Sequence, residues 1–434
     1  MMSKKERKKL VVIEGGTLID GTGGKPIEDS VVVSEGGRIS AVGEEGEVKV
    51  PKDAKKIEVD AHGKTVMPGL VDSHLHLIGM KTDRMLEEQL VRPPQLSLIK
   101  SVFDTVDLLE AGFTTVKDCG GFGIYLKRAI AEGTARGPRI LSAGYVLSQT
   151  GGHGDVHFIP VEWVDARTSK RGNFLVMPLL CDGVAECIKA TRYALREGAD
   201  FIKVYASGGV LSMVDRPEHT QFTLEELKAI VEEARHAGKF VTAHCQGTEA
   251  MKNCIVAGVK TIDHACYPDE EVIEMAKKRK DVVFVSTLSI AQRLVTEGEK
   301  AGYPPWVVTK AKEVTEITTK NIAKLHKAGL TIACGTDFLG SPLLKMGTNA
   351  MELELLVEQC GFKPMDAIVA ATQNGAKACG LENQIGTIEK GKLADIIIVD
   401  GDPLKDIKVL QEKNKIKMVM KEGKIEVKRA TRAR

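Results

Sequence analysis

The chain has 434 residues, 43% of them hydrophobic and 28% charged, so it is long enough for one large folded domain beside a smaller one. Its 61 Lys and Arg residues are balanced by 59 Asp and Glu residues, and this balance lacks the basic excess that nucleic-acid binders use to attract phosphates. The nine cysteines are an odd number without CxxC spacing, which argues against a disulfide framework.

The first residues combine a basic run, from Lys4 to Lys9, with a short apolar run, from Leu10 to Ile13. The apolar run is too short for the core of a signal peptide and far too short to span a bilayer. We therefore predict a cytoplasmic protein with no membrane partner and no nucleic-acid partner.

Both ends of the chain carry short β-like runs separated by glycine turns. Near the N-terminus the runs cover residues 10–13, 30–33 and 38–42, and near the C-terminus they cover residues 394–399 and 416–420. Period-two patterning of this kind is typical of half-buried strands. We predict one small β-sandwich domain formed by both termini, residues 1–67 and 385–434.

The intervening residues 68–384 alternate apolar strand-like runs with amphipathic helical segments, which is typical of βα units around a parallel sheet. The eight candidate strands are residues 70–77, 114–119, 139–143, 201–206, 241–245, 261–266, 282–288 and 331–336. Eight such units predict an α/β protein with a (β/α)8 TIM barrel. The long segment between Gly144 and about Cys181 is the kind of loop that serves an active site.

Potential metal ligands recur where these strands end. His74 and His76 follow the first strand with a spacing of two, which turns both imidazoles to the same face. The remaining candidates end the fifth, sixth and eighth strands and are His244, His264 and Asp337. In a parallel barrel the reacting groups lie at this end of the strands, and nitrogen and oxygen ligands of this kind suit zinc and other divalent metals.

Lys203 lies among apolar residues on the fourth candidate strand, where an unpaired ammonium would be costly to bury. Burial lowers the pKa of a lysine and favours the neutral amine. A neutral amine can react with carbon dioxide or bicarbonate to form a carbamate, N6-carboxylysine, which would be an anion able to bridge two metals. We therefore include Lys203 among the metal ligands.

The order of these motifs resembles the amidohydrolase superfamily over nearly the whole chain. The resemblance rests on the run from Met67 to His76, then Lys203, His244, His264 and Asp337, together with the split β domain. The segments 150–155, 203–210 and 221–223 resemble the branch that contains imidazolonepropionase-like proteins and binuclear Xaa-Pro dipeptidases.

The resemblance implies a role for each ligand. His74, His76 and Asp337 would hold one metal, His244 and His264 the other, and carboxylated Lys203 would bridge them. Two divalent ions, expected to be Zn²⁺, can share a hydroxide and polarise a carbonyl. Asp337 would be the catalytic residue that moves the proton to the leaving amine. Relatives in the superfamily often assemble, so the resemblance also implies a homo-oligomer.

The expected reaction is hydrolysis of an amide bond in a small substrate, an Xaa-Pro dipeptide or an N-acyl amino acid. His153 in the long loop and Tyr205 after Lys203 are candidate partners for a substrate carboxylate or an oxyanion. The alternatives are a mononuclear imidazolonepropionase-like cyclic-amide hydrolase or deaminase, and a non-catalytic structural relative. Imidazolonepropionase has no bridging lysine, so Lys203 favours the binuclear enzyme.

Overall fold

The computed structural model describes residues 10–50, 55–157, 159–169 and 176–430. Within these residues the strands are β1 (Leu10–Leu18), β2 (Ile27–Glu35), β3 (Arg38–Glu44), β4 (Lys56–Asp60), β5 (Thr65–Pro68), β6 (Leu70–Leu75), β7 (Phe113–Asp118), β8 (Arg139–Ser142), β9 (Val146–Ser148), β10 (Pro178–Leu180), β11 (Ile202–Tyr205), β12 (Val241–Cys245), β13 (Thr261–His264), β14 (Val283–Val285), β15 (Thr331–Ala333), β16 (Ile396–Val399), β17 (Ile416–Lys421) and β18 (Lys424–Lys428). The α-helices are α1 (Met85–Val91), α2 (Pro94–Glu110), α3 (Gly123–Ala131), α4 (Val184–Arg196), α5 (Leu224–His236), α6 (Thr248–Ala257), α7 (Glu270–Arg279), α8 (Leu288–Ala301), α9 (Pro305–Lys327), α10 (Met351–Glu358), α11 (Pro364–Ala370) and α12 (Gln373–Ala378).

Strands from both chain ends form one mixed sheet of eight strands in the order β18-β17-β16-β5-β1-β2-β3, with β4 paired to β1. The N-terminal and C-terminal strands of this sheet meet where β16 pairs antiparallel with β5. Alternate apolar residues such as Val11, Ile13, Ile396 and Ile398 pack in one buried cluster on this sheet. The predicted β-rich unit drawn from both termini is therefore present as a sheet, while its sandwich packing stays a prediction.

The middle of the chain forms parallel strands, seven in the order β10-β9-β11-β12-β13-β14-β15 and three in the order β6-β7-β8. Backbone hydrogen bonds join these two sheets. The amide of Ser73 in β6 donates to Cys334 after β15 at 2.8 Å, and the amide of Asp200 before β11 donates to Ser142 in β8 at 2.8 Å. The predicted α/β architecture with parallel strands is confirmed.

Side chains from the two sheets also meet in the interior. The ammonium of Lys117 on β7 lies 3.4 Å from the hydroxyl of Thr242 on β12 and 3.1 Å from that of Thr261 on β13. All three side chains are fully buried. Because strand residues alternate between faces, the residues two positions further along β12 and β13, His244 and Asp263, point to the same interior.

Helix α5 begins at a capping motif that is visible in the sequence. Thr223 precedes the helix and accepts a hydrogen bond from the Glu226 amide at 3.3 Å, while the Glu226 carboxylate accepts from the Thr223 amide at 2.6 Å. This reciprocal capping box satisfies two backbone donors that the first turn would otherwise leave unpaired. The helix buries Leu227 and Ile230, as the predicted amphipathic pattern requires.

The predicted long loop after the third strand is partly structured. It contains β9 and β10, which pair in parallel, and β9 also pairs with β11. Three-residue strands of this kind are too short for a period to show in the sequence. Their pairing brings His153 beside Tyr205, where β11 ends, with ring centroids 5.0 Å apart.

Candidate metal centre

The strand ends bring the candidate ligands together in one buried cluster. The ring centroid of His74 lies 5.4 Å from that of His76 and 5.0 Å from that of His264. The rings of His264 and His244 are 4.4 Å apart. The four imidazoles therefore form a continuous chain across the ends of β6, β12 and β13.

Asp337 closes this chain from the last parallel strand. Its Oδ1 atom lies 3.4 Å from Nε2 of His74 and 3.2 Å from Nε2 of His76. One donor atom from each of these three residues lies within 4.8 Å of the other two, which is the spacing of ligands around a single ion. Burial alone would raise the pKa of Asp337, but the adjacent imidazoles of His74 and His76 hold it well below its usual range.

Hydrogen bonds to groups outside the cluster determine which ring nitrogen of His76 and of His244 keeps its lone pair. Nδ1 of His76 lies 2.9 Å from the carbonyl of Gly120, and Nε2 of His244 lies 3.0 Å from the carbonyl of Gly208. A carbonyl can only accept, so these ring nitrogens carry the protons, and Nε2 of His76 and Nδ1 of His244 keep their lone pairs. Metal-ligating histidines are held by outer partners in this way.

Two candidate ligands adopt backbone conformations that are unfavourable for their residue types. His264 has φ 74° and Asp337 has φ 57°, both in the left-handed region. Strain of this kind persists only where the surroundings enforce it, and it concentrates at functional sites. Nδ1 of His264 lies 2.7 Å from the hydroxyl of Thr287, which itself has φ 46°, and burial lowers the pKa of His264 to about 3.

Asp263 is a site residue that the sequence analysis missed. Its Oδ2 atom lies 2.9 Å from Nδ1 of His74 and 2.5 Å from the ammonium of Lys203. Burial opposes its ionisation, but these cations hold its pKa far below the usual range. Strict alternation along β13 cannot turn both Asp263 and His264 inward, and the left-handed turn at His264 makes it possible.

The structure corrects one expectation about Lys203. Burial does favour the neutral amine, as predicted, but in the metal-free chain the attraction of Asp263 outweighs it and the pKa of Lys203 is raised. The prediction from burial alone was wrong in sign because it omitted this carboxylate. Lys203 lies on β11, the fourth candidate strand, and its ammonium contacts Asp263.

A cavity of about 440 Å³ opens beside the cluster. His153 and Tyr205 line it together with His74, His76 and Asp337. The ring of His153 stacks on His244, with centroids 4.3 Å apart and planes 22° apart. Both residues predicted to contact substrate therefore lie next to the proposed ligands.

The donor set fits a divalent metal. Nδ1 of His74 lies 2.9 Å from the carboxylate of Asp263, and its Nε2 lies 3.4 Å from Oδ1 of Asp337. Nε2 of His264 is buried without a hydrogen-bond partner among the described residues. Imidazole nitrogens and a carboxylate are the ligands that zinc and similar ions prefer. These residues form a candidate metal site at the ends of parallel strands.

Similarity to known proteins identifies the family of the chain. A sequence model of the Amidohydrolase family matches residues 65–425. The ochratoxinase of Aspergillus niger is 35% identical to this chain over 98% of this chain and 88% of its own length. Its crystal structure superposes with a TM-score of 0.88 at 33% identity, covering 98% of this chain and 97% of that chain.

Two solved dipeptidases are similar as well. A prolidase in complex with N-methylphosphonate-L-proline has a TM-score of 0.87 at 31% identity, covering 97% of this chain and all of its own. A Xaa-Pro dipeptidase with bound methionine in its active site has a TM-score of 0.84 at 32% identity, covering 96% of this chain and all of its own.

The chain belongs to the amidohydrolase family. It is a hydrolase that acts on carbon–nitrogen amide bonds, as the resemblance implied.

Proposed function

We propose that the chain is a binuclear metal-dependent amidohydrolase that cleaves an N-acyl amino acid or a dipeptide, including Xaa-Pro dipeptides. The observation that carries the proposal is the buried cluster of four imidazoles, Asp337 and Lys203, in which backbone carbonyls hold one ring nitrogen of His76 and of His244 and leave the other nitrogen for ligation. The similar ochratoxinase, prolidase and Xaa-Pro dipeptidase support this reaction class.

In the proposed assignment His74, His76 and Asp337 hold one ion, His244 and His264 hold the other, and Lys203 as N6-carboxylysine bridges them. The ions, proposed to be Zn²⁺, would supply an activated water and polarise the scissile carbonyl. Asp337 would take a proton from the attacking water through one carboxylate oxygen and pass it to the leaving amine. Carbon dioxide or bicarbonate is required because the bridging lysine must first be carboxylated.

The cavity supports a substrate with an apolar portion. One part of its wall is formed by apolar and aromatic side chains: Leu211, Met213, Tyr303, Pro304, Trp306 and Val307. Charged residues such as Asp83, Arg84 and Glu87 also line the cavity. Pockets for small molecules combine such walls with a few polar groups that orient the ligand. We propose that this wall contacts an apolar substrate side chain, while His153 and Tyr205 bind the carboxylate or oxyanion.

The fold supports this arrangement. We propose that β6, β7, β8 with β9, and β11 to β15 close into one (β/α)8 barrel over residues 68–384, because hydrogen bonds and buried side chains link the two parallel sheets. Residues 1–67 and 385–434 would form the accessory β domain. The nine cysteines are all free and buried, which suits the reducing cytoplasm that we propose. No helix among the described residues is long and apolar enough to cross a membrane.

A hydrolysis screen tests the proposal. Protein reconstituted with zinc and bicarbonate is incubated with N-acyl amino acids and dipeptides, and release of a free amino acid is measured. We expect release from at least one of these substrate sets and two zinc ions per chain. One ion per chain with turnover of a cyclic amide or an aminated ring would favour the mononuclear alternative. Full metal loading without any turnover would favour the non-catalytic relative.

We also propose that the chain forms a homo-oligomer through α1 and α2. The outward face of α2 carries Leu96, Ile99 and Phe103, which are 44%, 58% and 65% exposed, and Val91 beside them is 81% exposed. If each fully exposed side chain has an accessible area of ~150–200 Å², these four residues together expose roughly 400 Å². This area is about half of the surface that one partner buries in a standard interface. A second copy related by a two-fold axis would bring the same face of both partners together.

Substitution on this face tests the oligomer. Phe103→Glu should produce a monomer in sedimentation velocity, whereas Val256→Glu, a change at an isolated exposed apolar residue on α6, should leave the wild-type mass. A wild-type protein that sediments as a monomer would refute the proposal.

A further inference from the structure

A polar network holds the Nδ1 edge of His153 and includes Ser212, which also lines the cavity. Nδ1 of His153 lies 2.7 Å from the hydroxyl of Ser212, and this hydroxyl donates to Oδ1 of Asp215. Oδ2 of Asp215 lies 3.6 Å from the same imidazole nitrogen. These three side chains form a carboxylate–hydroxyl–imidazole relay, and the proposed function gives Ser212 and Asp215 no part.

Further contacts hold both ends of the relay. Gln221 donates to Oδ2 of Asp215 at 3.0 Å and accepts from the backbone amide of His153 at 2.9 Å. Lys310 from α9 donates to the carbonyls of Gly209 and Ser212 at 3.1 and 2.8 Å. Asp215, Gln221 and Lys310 are at most 7% exposed, so solvent does not compete for these bonds.

The relay fixes where the proton of the His153 ring lies. Ser212 has one hydroxyl proton, and because Asp215 accepts it, the Ser212 oxygen must accept from His153 Nδ1. Nδ1 therefore carries a proton, and Nε2 is the ring nitrogen left for the cavity. Among the described residues Nε2 has no hydrogen-bond partner, and the ring lines the cavity beside Tyr205 and Asp337.

Close packing prevents the ring from turning. A β-carbon placed on Gly209 would lie 2.2 Å from Cε1 of His153, so the ring rests directly on this glycine. The ring also stacks on His244. The His153 ring is therefore held by the relay at Nδ1 and by its packing against Gly209 and His244.

We propose that Asp215 is a positioning residue, which acts through Ser212 to hold His153 with Nε2 directed at the substrate. The hydrogen bonds to the Asp215 carboxylate, which hold its pKa low although burial opposes this, agree with a permanently anionic anchor. The kinetic part of the test rests on the proposed function, whereas the spectroscopic part does not.

A double-mutant cycle separates positioning from simple stabilisation. In zinc-reconstituted protein, Asp215→Asn should lower kcat/KM by roughly 10-fold to 100-fold, the range typical of outer partners that orient a site residue. His153→Ala should lower it at least as much. Asp215→Asn introduced into His153→Ala should have no further effect, because Asp215 acts only through His153. An additive loss in the double variant would overturn the proposal.

Two controls accompany the cycle. Asp165→Asn removes a buried carboxylate, paired with Arg167, from the same long segment, and it should leave kcat/KM unchanged. Zinc content should be equal in all variants, since Asp215 touches none of the proposed ligands.

The spectroscopic readout needs no substrate. In ¹⁵N-histidine-labelled, zinc-reconstituted protein, the signals lost in His153→Ala identify this ring, and its Nδ1 should carry a proton in the wild type. Asp215→Asn should shift that signal. An unchanged His153 signal in Asp215→Asn would refute the relay even if no substrate had been found, whereas the expected shift without any hydrolysis would refute only the proposed function.

Discussion

At the residue scale, each of the four imidazoles has an outer partner within 3.0 Å of one ring nitrogen. These partners are the carbonyls of Gly120 and Gly208, the hydroxyl of Thr287 and the carboxylate of Asp263. The sequence predicted the four histidines from their spacing and their positions after strands. It could not predict these partners, because they come from other strands and loops.

Asp337→Asn tests the proposed proton transfer. The amide keeps one oxygen for ligation but cannot accept a proton at neutral pH, so kcat should fall by about 10²–10⁴-fold, the usual contribution of a general acid or base. Zinc content, measured by mass spectrometry, should stay within a factor of two of the wild type. Near-wild-type turnover at full zinc loading would contradict the role.

Asp263→Asn tests the support of His74. The amide lacks the negative charge that lies beside His74 and Lys203, so zinc affinity measured by competition with a chelator should fall by about 10-fold to 100-fold. Asp395→Asn is the control, because Asp395 is equally buried but pairs with Arg139, away from the ligands. Equal zinc affinity in both variants would show that Asp263 does not support the site.

At the scale of elements, the connection between β14 and α8 shows what the sequence leaves out. Glu352 on α10 is fully buried and accepts four hydrogen bonds from this connection, two from the amides of Leu288 and Ser289 and two from the hydroxyls of Ser286 and Ser289. This clamp holds Thr287, whose hydroxyl contacts His264. In the sequence Glu352 resembles any acidic residue in the first turn of a helix.

Glu352→Gln should therefore destabilise the fold. In the glutamine, an NH2 group replaces a carboxylate oxygen that accepts two hydrogen bonds. A buried donor would then lack an acceptor, which lowers the free energy of unfolding by about 1–3 kcal/mol. Urea denaturation should show this loss, while Glu354→Gln on the same helix, where the side chain is partly exposed, should cost less than about 1 kcal/mol. Equal midpoints for the two variants would contradict the clamp.

At the scale of the whole molecule, the regular strands and the amphipathic helices were predictable from periodicity and capping residues. The pairing of β16 with β5, which joins the two chain ends in one sheet, followed from the similar patterns at both termini. The sequence could not show that the apolar face of α2 is exposed, because Leu96, Ile99 and Phe103 are spaced like the residues that a helix buries in a core.

Buried His264 should make the metal-free protein sensitive to acid. Burial lowers the pKa of His264 from 6.5 to about 3, so between these values the unfolded chain binds the proton and the folded chain does not. The stability contributed by this residue is present above pH 6.5 and is lost as the pH falls towards 3. His264→Asn should show a shallower decline of unfolding free energy over this range, and an equal decline would contradict the assignment.

The most direct test of the account is the metal content of the wild type and of Lys203→Ala after reconstitution with zinc and bicarbonate. Inductively coupled plasma mass spectrometry should find two zinc ions per wild-type chain and at most one in the variant, because the bridging anion is lost. Two ions in both proteins would contradict the role of Lys203, and a wild-type chain that binds no metal would contradict the metal centre itself.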